Sequence, residues 1–321
     1  AGGSAARLEG ASPAEWRHAL EPHELRFLRD HRVGSVPLLP ATCFLELARA
    51  LADARGTRAR LCLEAIRFES ILFLDDDSSP PAERLSVRLC LERPNGTLRV
   101  SSRRTETGAW EQHATMRLSG AASEATVGAG NEPAPPPLNP SAAVAACSGG
   151  HIAGAQFYAG TGNAYRGEFR ALAEGWRGDR RAIGRVSYPR SEARWAHLRR
   201  CAASDACLHH AAWWARHGRR PYYVASVESY TLHPPTRRHS NAAFWGALSE
   251  MACGDAAELG ADLRVFAARR RGSAGVADGT LADAAMDVSR LKLRFFRVGE
   301  LEGRRVRRHA YETRWEEVAS S

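Results

Sequence analysis

Apolar positions along the chain follow two periods, and the switches between them mark out its elements. From Ala41 to Ala54, residues Phe44, Leu47, Ala48 and Leu51 recur at helical spacing and predict one buried stripe of a helix. Pro40 stands just ahead of that stripe, where a missing N–H costs nothing because first-turn N–H groups have no intrahelical partner. The pattern then changes to alternation. Residues 65–74, 84–92, 96–104 and 110–120 each predict a half-buried strand, and the Asn-Gly pair at 95–96 predicts a tight hairpin between two of them. The first 120 residues therefore predict one helix wrapped by an antiparallel sheet.

Residues 119–143 are rich in Gly, Ala, Pro and Ser and nearly lack large apolar side chains. Such a stretch cannot bury enough surface to order itself and reads as a linker. Beyond it the plan repeats: a helix-like start near His151, a strand at 181–189, a helix at 204–218, then strands at 222–233, 242–250, 261–270 and 284–296. The predicted class is α+β. One helix in a curled antiparallel sheet, twice over, is a double hot-dog: an N-terminal hot-dog over 1–120, a linker over 121–145 and a C-terminal hot-dog over 146–321.

Composition narrows the function classes. The chain has 321 residues, of which 44% are hydrophobic, enough for a real core. No run of about 18 apolar residues predicts a membrane span. The first 16 residues lack the basic-then-apolar order of a secretory signal and read as a linker. Seven cysteines, odd in number and never spaced Cys-x-x-Cys, argue against a disulfide framework and a zinc site; reduced thiols in a cytoplasmic protein fit best. The net charge is +9, with Lys292 the only lysine. The arginines are spread along the chain, and no helix-turn-helix, zinc finger or aromatic-basic motif points to nucleic acid. No Gly-x-Gly-x-x-Gly after a strand and no Walker loop implies a nucleotide cofactor.

Two stretches carry candidate chemistry. In the first half, His31 precedes Gly34, Ser35, Pro37 and Pro40 on a segment leading to the helix start. Free backbone N–H groups there can hold a carbonyl oxygen as negative charge develops on it. A base beside such a site is what proton removal next to a carbonyl requires. In the second half, "SDACLHH" predicts Ser204 as a helix N-cap and Asp205 in the first turn, with His209 four residues on and on the same face.

Taken together, the two stretches resemble the dehydratase domain of modular type I polyketide synthases, a double hot-dog family. Its His-x-x-x-Gly-x-x-x-x-Pro motif falls on His31, Ser35 and Pro40, and its Asp-x-x-x-Gln/His motif on Asp205 and His209. "LLPATCFLELARA" is similar to the family's helix and "WEQHATMRL" to the strand that closes its first hot-dog. Its Tyr-Gly-Pro-x-Phe motif falls on Tyr165 to Phe169, and the resemblance runs from about Glu21 to Phe296. The chain departs from the family at Ser35 (with Gly34 one place early), at Arg166-Gly167, and at Arg200-Cys201 in place of His-Pro.

The resemblance implies loss of water from a (3R)-3-hydroxyacyl thioester on an acyl carrier protein. His31 would be the base and Asp205 the acid, with His209, Tyr165 and the Gly34, Ser35 and Pro40 segment orienting the substrate. It implies no cofactor beyond the carrier's phosphopantetheine arm, no nucleic acid and no membrane. Its partners would be the carrier protein, other synthase domains and a second copy in a homodimer. Asp205 must hold a proton although its ordinary pKa is about 3.9, so it is expected buried among few charges. Two other readings use the same residues. The pair could shift a double bond or close an oxygen ring. The domain could also only dock a carrier, through arginines near 194–200 and 216–220.

Overall fold

The computed structural model describes residues 15–54, 60–74, 85–92, 95–104, 107–119, 137–187, 196–215, 220–233, 239–253, 258–269 and 284–297, with 281, 300–301 and 303. The first half comprises β1 (Glu15–Ala19), α1 (Pro22–Leu28), the two-residue strands β2 (Arg32–Val33) and β3 (Val36–Pro37), and α2 (Ala41–Ala54). It continues through β4 (Leu61–Phe68), β5 (Ser86–Glu92), β6 (Thr97–Arg103) and β7 (Glu111–Ser119). The second half has α3 (Pro140–Ala145), β8 (His151–Ala153), α4 (Gly154–Gly160), a 3-10 turn (Gly167–Phe169), β9 (Leu172–Arg177) and β10 (Ala182–Ser187). It ends with α5 (Ala196–Trp214), β11 (Tyr222–Leu232), β12 (His239–Cys253), β13 (Glu258–Arg269) and β14 (Ala284–Phe295).

Twelve strands form one sheet in the order β1-β5-β6-β7-β4-β11-β14-β13-β12-β10-β9-β8. The halves join where β4 pairs antiparallel with β11, with Leu63 opposite Tyr230 and Leu61 opposite Leu232. The two long helices α2 and α5 pack against each other, so both apolar faces close into one core with Phe44, Ala48 and Leu51 from α2 and Ala202, Ala206 and Ala211 from α5. This is the double hot-dog expected from the alternation of helix and strands.

Several boundaries differ from the sequence reading. The strand expected over 65–74 runs over 61–68 instead, and the chain then leaves the sheet. Leu74 N–H donates to Pro37 O, and Leu39 N–H to Leu72 O, so residues 72–74 cover the loop that precedes α2. The helix expected from Ser204 begins at Ala196; Ser204 is not an N-cap, and Asp205 lies in the third turn. Near His151 a short strand precedes the helix. Of the expected linker, 121–136 lies outside the described residues. Residues 137–145 are structured: Leu138 pairs with Leu281, and Asn139 caps α3 by accepting the Ala142 N–H.

Two packing features bear on the site. Cys43 of α2 and Cys201 of α5 form a disulfide with Cα atoms 5.3 Å apart, within the usual span of such a bridge. This corrects the expectation of reduced thiols for that pair; Cys62, Cys90, Cys147, Cys207 and Cys253 are free. On the other face of α5, Gly175, Gly184 and Gly246 lie side by side across β9, β10 and β12. The trough they leave is filled by the buried His210 ring: a Cβ on Gly184 would stand 2.7 Å from His210 Nδ1.

Candidate active site

His31 follows α1 and precedes the β2–β3 turn. Its side chain is buried, with Nδ1 2.9 Å from Leu38 O. A carbonyl oxygen only accepts, so Nδ1 carries the hydrogen and the neutral ring has its lone pair on Nε2. That Nε2 faces Asp205 Oδ2 at 3.7 Å. Tyr165 and Phe169, both from the segment around the 3-10 turn, flank the His31 ring at centroid distances of 5.5 and 5.4 Å. The His31 ring is thus held by one carbonyl and two tilted aromatic side chains.

Asp205 is buried on α5, and its Oδ2 lies 2.9 Å from Nε2 of His209, one turn further along. Tyr165 stacks on the His209 ring at 4.2 Å. These groups share a cavity of about 310 Å³ whose walls include Leu38, Leu39, Phe44, Leu208, Val224 and Leu293. Apolar lining with a few convergent polar groups is the usual form of a small-molecule site.

Burial works against the charged form of both partners. At Asp205 burial pushes the pKa up, but His31 and then His209 overcome it and hold the carboxyl below its ordinary value. At His31 burial prevails over the Asp205 carboxylate and the Leu38 carbonyl, and the imidazole lies below its ordinary value. The expectation that Asp205 sits among few charges is therefore corrected. Two histidines adjoin it, and in the free protein their field favours the carboxylate. Nor does a helix N-terminus act on it, because α5 starts nine residues earlier at Ala196.

His31, Asp205, His209 and Tyr165 all border the cavity; Gly34, Ser35 and Pro40 do not. Gly34 and Ser35 form the β2–β3 turn, where Gly34 has φ 59°, a left-handed value that suits glycine, and Ser35 is exposed. The Gly34 N–H points to Asn163 Oδ1 at 3.4 Å, and those of Leu38 and Leu39 reach backbone carbonyls. Ala41, in the first turn of α2, is the residue of the helix start that meets the cavity. Its N–H has no intrahelical acceptor.

Other residues at the site had no signal in the sequence. Asn163 is buried between the halves of the site. Its Nδ2 donates to Tyr165 OH at 2.8 Å and to Tyr222 O at 2.9 Å, while its Oδ1 accepts the Tyr222 N–H at 3.1 Å. One side chain thereby ties the β2–β3 turn, Tyr165 and the first residue of β11. Tyr158 of α4 reaches His209 Nδ1 at 3.0 Å. Tyr222 lines the cavity beside Tyr165. Of the arginines considered for carrier docking, Arg220 bonds the carbonyls of Phe295 and Phe296, and the side chains at 194, 199, 200, 216 and 219 lie outside the described residues. No helix among the described residues is long and apolar enough to cross a membrane.

Comparison with known proteins agrees with this fold. Residues 3–103 match the family described as "Polyketide synthase dehydratase domain". The chain is 27% identical over 124 residues to compactin diketide synthase mlcB of Penicillium citrinum, covering 35% of itself and only 5% of that protein. In structure it is similar to the dehydratase domain from the CurJ module of curacin polyketide synthase, with a TM-score of 0.67 at 16% identity over 90% of this chain and 94% of that one. A CurK dehydratase, an Asp→Asn inactive mutant, matches with a TM-score of 0.65 at 15% identity over 91% and 96% of the two chains. The chain is thus similar in the sequence of its N-terminal third to the polyketide synthase dehydratase domains, and it shares their double hot-dog fold across both halves.

Proposed function

We propose that the chain removes water from a (3R)-3-hydroxyacyl thioester, presented on the phosphopantetheine arm of an acyl carrier protein, to give a 2-enoyl thioester. The observation that carries this reading is the pairing of His31 and Asp205 on one buried cavity, with the Nε2 lone pair of His31 turned toward the carboxyl group at 3.7 Å.

In the reaction, His31 Nε2 takes the proton from C2. The electrons of that C–H bond become the new double bond as the C3–O bond breaks, and the departing oxygen takes the proton of Asp205 and leaves as water. His31 then carries a proton and Asp205 a negative charge, and one proton transfer between them restores the starting pair. Charge that builds on the thioester oxygen falls to the N–H of Ala41 at the start of α2. His209 orients the carboxyl group, and Tyr165 holds His209 in place by stacking.

The working pair carries one proton in total. In the free protein Asp205 is held below its ordinary value by His31 and His209, and His31 is held below its own by burial. An acyl chain that dries the cavity raises the cost of the ion pair and favours the neutral arrangement, His31 as base and Asp205 as acid. Solved relatives support the two roles: CurK dehydratases with one His→Phe or one Asp→Asn replacement are inactive mutants. Mass spectrometry of a carrier-bound 3-hydroxyacyl substrate tests the reading. Loss of one water from the acyl group supports it, and an acyl group unchanged in mass overturns it.

A further inference from the structure

We propose that Tyr158 is a positioning residue that fixes the tautomer of His209, so that His209 always donates to Asp205 and never competes with the substrate for its proton. The chemical meaning rests on the elimination reading above, but the tautomer itself does not.

The backbone N–H of Leu172 donates to Tyr158 OH at 2.9 Å, which leaves the phenol oxygen as acceptor there. The phenol has one proton left to place. His209 Nδ1 lies 3.0 Å away, and among the described residues no other acceptor bonds the hydroxyl. Tyr158 therefore donates to Nδ1, which must present its lone pair. The ring hydrogen of His209 then sits on Nε2, 2.9 Å from Asp205 Oδ2, and donates to it. A chain of donors runs from Leu172 N–H through Tyr158 and His209 to the carboxyl group.

The opposite tautomer would change the chemistry. With its hydrogen on Nδ1, His209 would turn an Nε2 lone pair toward Asp205. A protonated Asp205 would then hydrogen-bond to His209, and its proton would be directed away from the leaving hydroxyl. Phe157 and Tyr165 stack on the His209 ring at 5.9 and 4.2 Å and restrict its plane, but ring stacking cannot choose between the tautomers. Tyr158 makes that choice.

The fold holds Tyr158 in place. Residue 154, the first of α4, has no room for a side chain: a Cβ there would collide with Leu172 O, the carbonyl of the residue whose N–H anchors the phenol. Glycine lets α4 lie directly on β9, and the Tyr158 hydroxyl is thereby set between Leu172 and His209. Arg170 lies over the Tyr158 ring at 5.2 Å.

The test joins nuclear magnetic resonance to kinetics in the full chain. In ¹⁵N-labelled protein, the ring signals lost in His209→Gln identify His209. The expected wild-type spectrum shows a single Nε2–H tautomer. Tyr158→Phe keeps the ring and removes the hydroxyl. It should bring in the Nδ1–H tautomer and lower kcat about tenfold with KM within about twofold, because a proton is misdirected while binding is kept. A wild-type His209 in the Nδ1–H form overturns the proposal even if the variant fails to fold. So does a Tyr158→Phe protein whose His209 remains wholly Nε2–H. A wild type with the stated tautomer but no dehydration would instead overturn the elimination reading alone.

Discussion

His31 Nε2 and Asp205 Oδ2 stand 3.7 Å apart, one supplied by the loop before α2 and the other by the third turn of α5. Neither hot-dog alone holds both residues. The site exists because α2 and α5 pack together and because β4 pairs with β11, which brings the two halves into one sheet. At that separation the two groups titrate as a unit and lose their protons in two steps.

The first prediction concerns pH. The pair works with one proton and fails with two or none. The first proton leaves below the ordinary 3.8 of an aspartic acid, because His31 and His209 together outweigh burial. The second leaves below the ordinary 6.5 of a histidine, because burial outweighs the carboxylate. A plot of kcat/KM against pH, which reports the free enzyme, should be a bell whose alkaline limb is centred below 6.5. A limb centred above that value contradicts the account.

His210 gives a stability prediction with a definite sign. Burial, and then His209, push its pKa down to about 3, from 6.5 in the unfolded chain. Between those values the unfolded chain binds a proton that the folded one refuses. Its contribution to stability is therefore whole above 6.5 and is lost as pH falls, by at most about 1.4 kcal/mol per unit. His210→Asn fits the same glycine trough and does not titrate. Denaturant unfolding at a series of pH values should show the wild type losing stability faster than the variant on acidification. Parallel curves would refute the assignment.

Asn163 is the hub of the site, and Asn163→Ala should be costly. The backbone N–H and C=O of Tyr222 would lose their side-chain partner in a buried place, as would the Tyr165 hydroxyl. Stranded buried groups of this kind cost about 1–3 kcal/mol each where no water replaces the partner. A loss of about 3 kcal/mol in unfolding free energy is expected, with a lower kcat as Tyr165 loosens. A loss under about 0.5 kcal/mol would show that water replaces the amide without penalty.

The sequence was legible where local pattern and packing agree. The helix at 41–54 is found where it was expected, because Pro40 sets its start and an apolar stripe gives its period. Most strands of both halves followed their alternation. The start of α5 was hidden. "AHLRR", residues 196–200, carries no apolar stripe, and Ser204 ahead of Asp205 imitates a cap. The far end of the 65–74 run, Ile71 to Leu74, is apolar throughout and reads as a continuation of the strand, yet it leaves the sheet to cover residues 37–39. Tyr158 and Asn163 act only through partners far along the chain, His209 and Tyr222, and no local pattern announces such bonds. The Cys43–Cys201 bridge, 158 residues apart, is invisible for the same reason.

The central claim is that His31 and Asp205 together perform the elimination. Its most direct test is single-turnover dehydration of a carrier-bound (3R)-3-hydroxyacyl thioester by wild type, His31→Phe and Asp205→Asn, each checked for an unchanged unfolding transition. The account predicts loss of one water with the wild type and a rate at least about 10²-fold lower in each variant, as removal of a general base or acid entails. Turnover retained near the wild-type rate by either folded variant would contradict it.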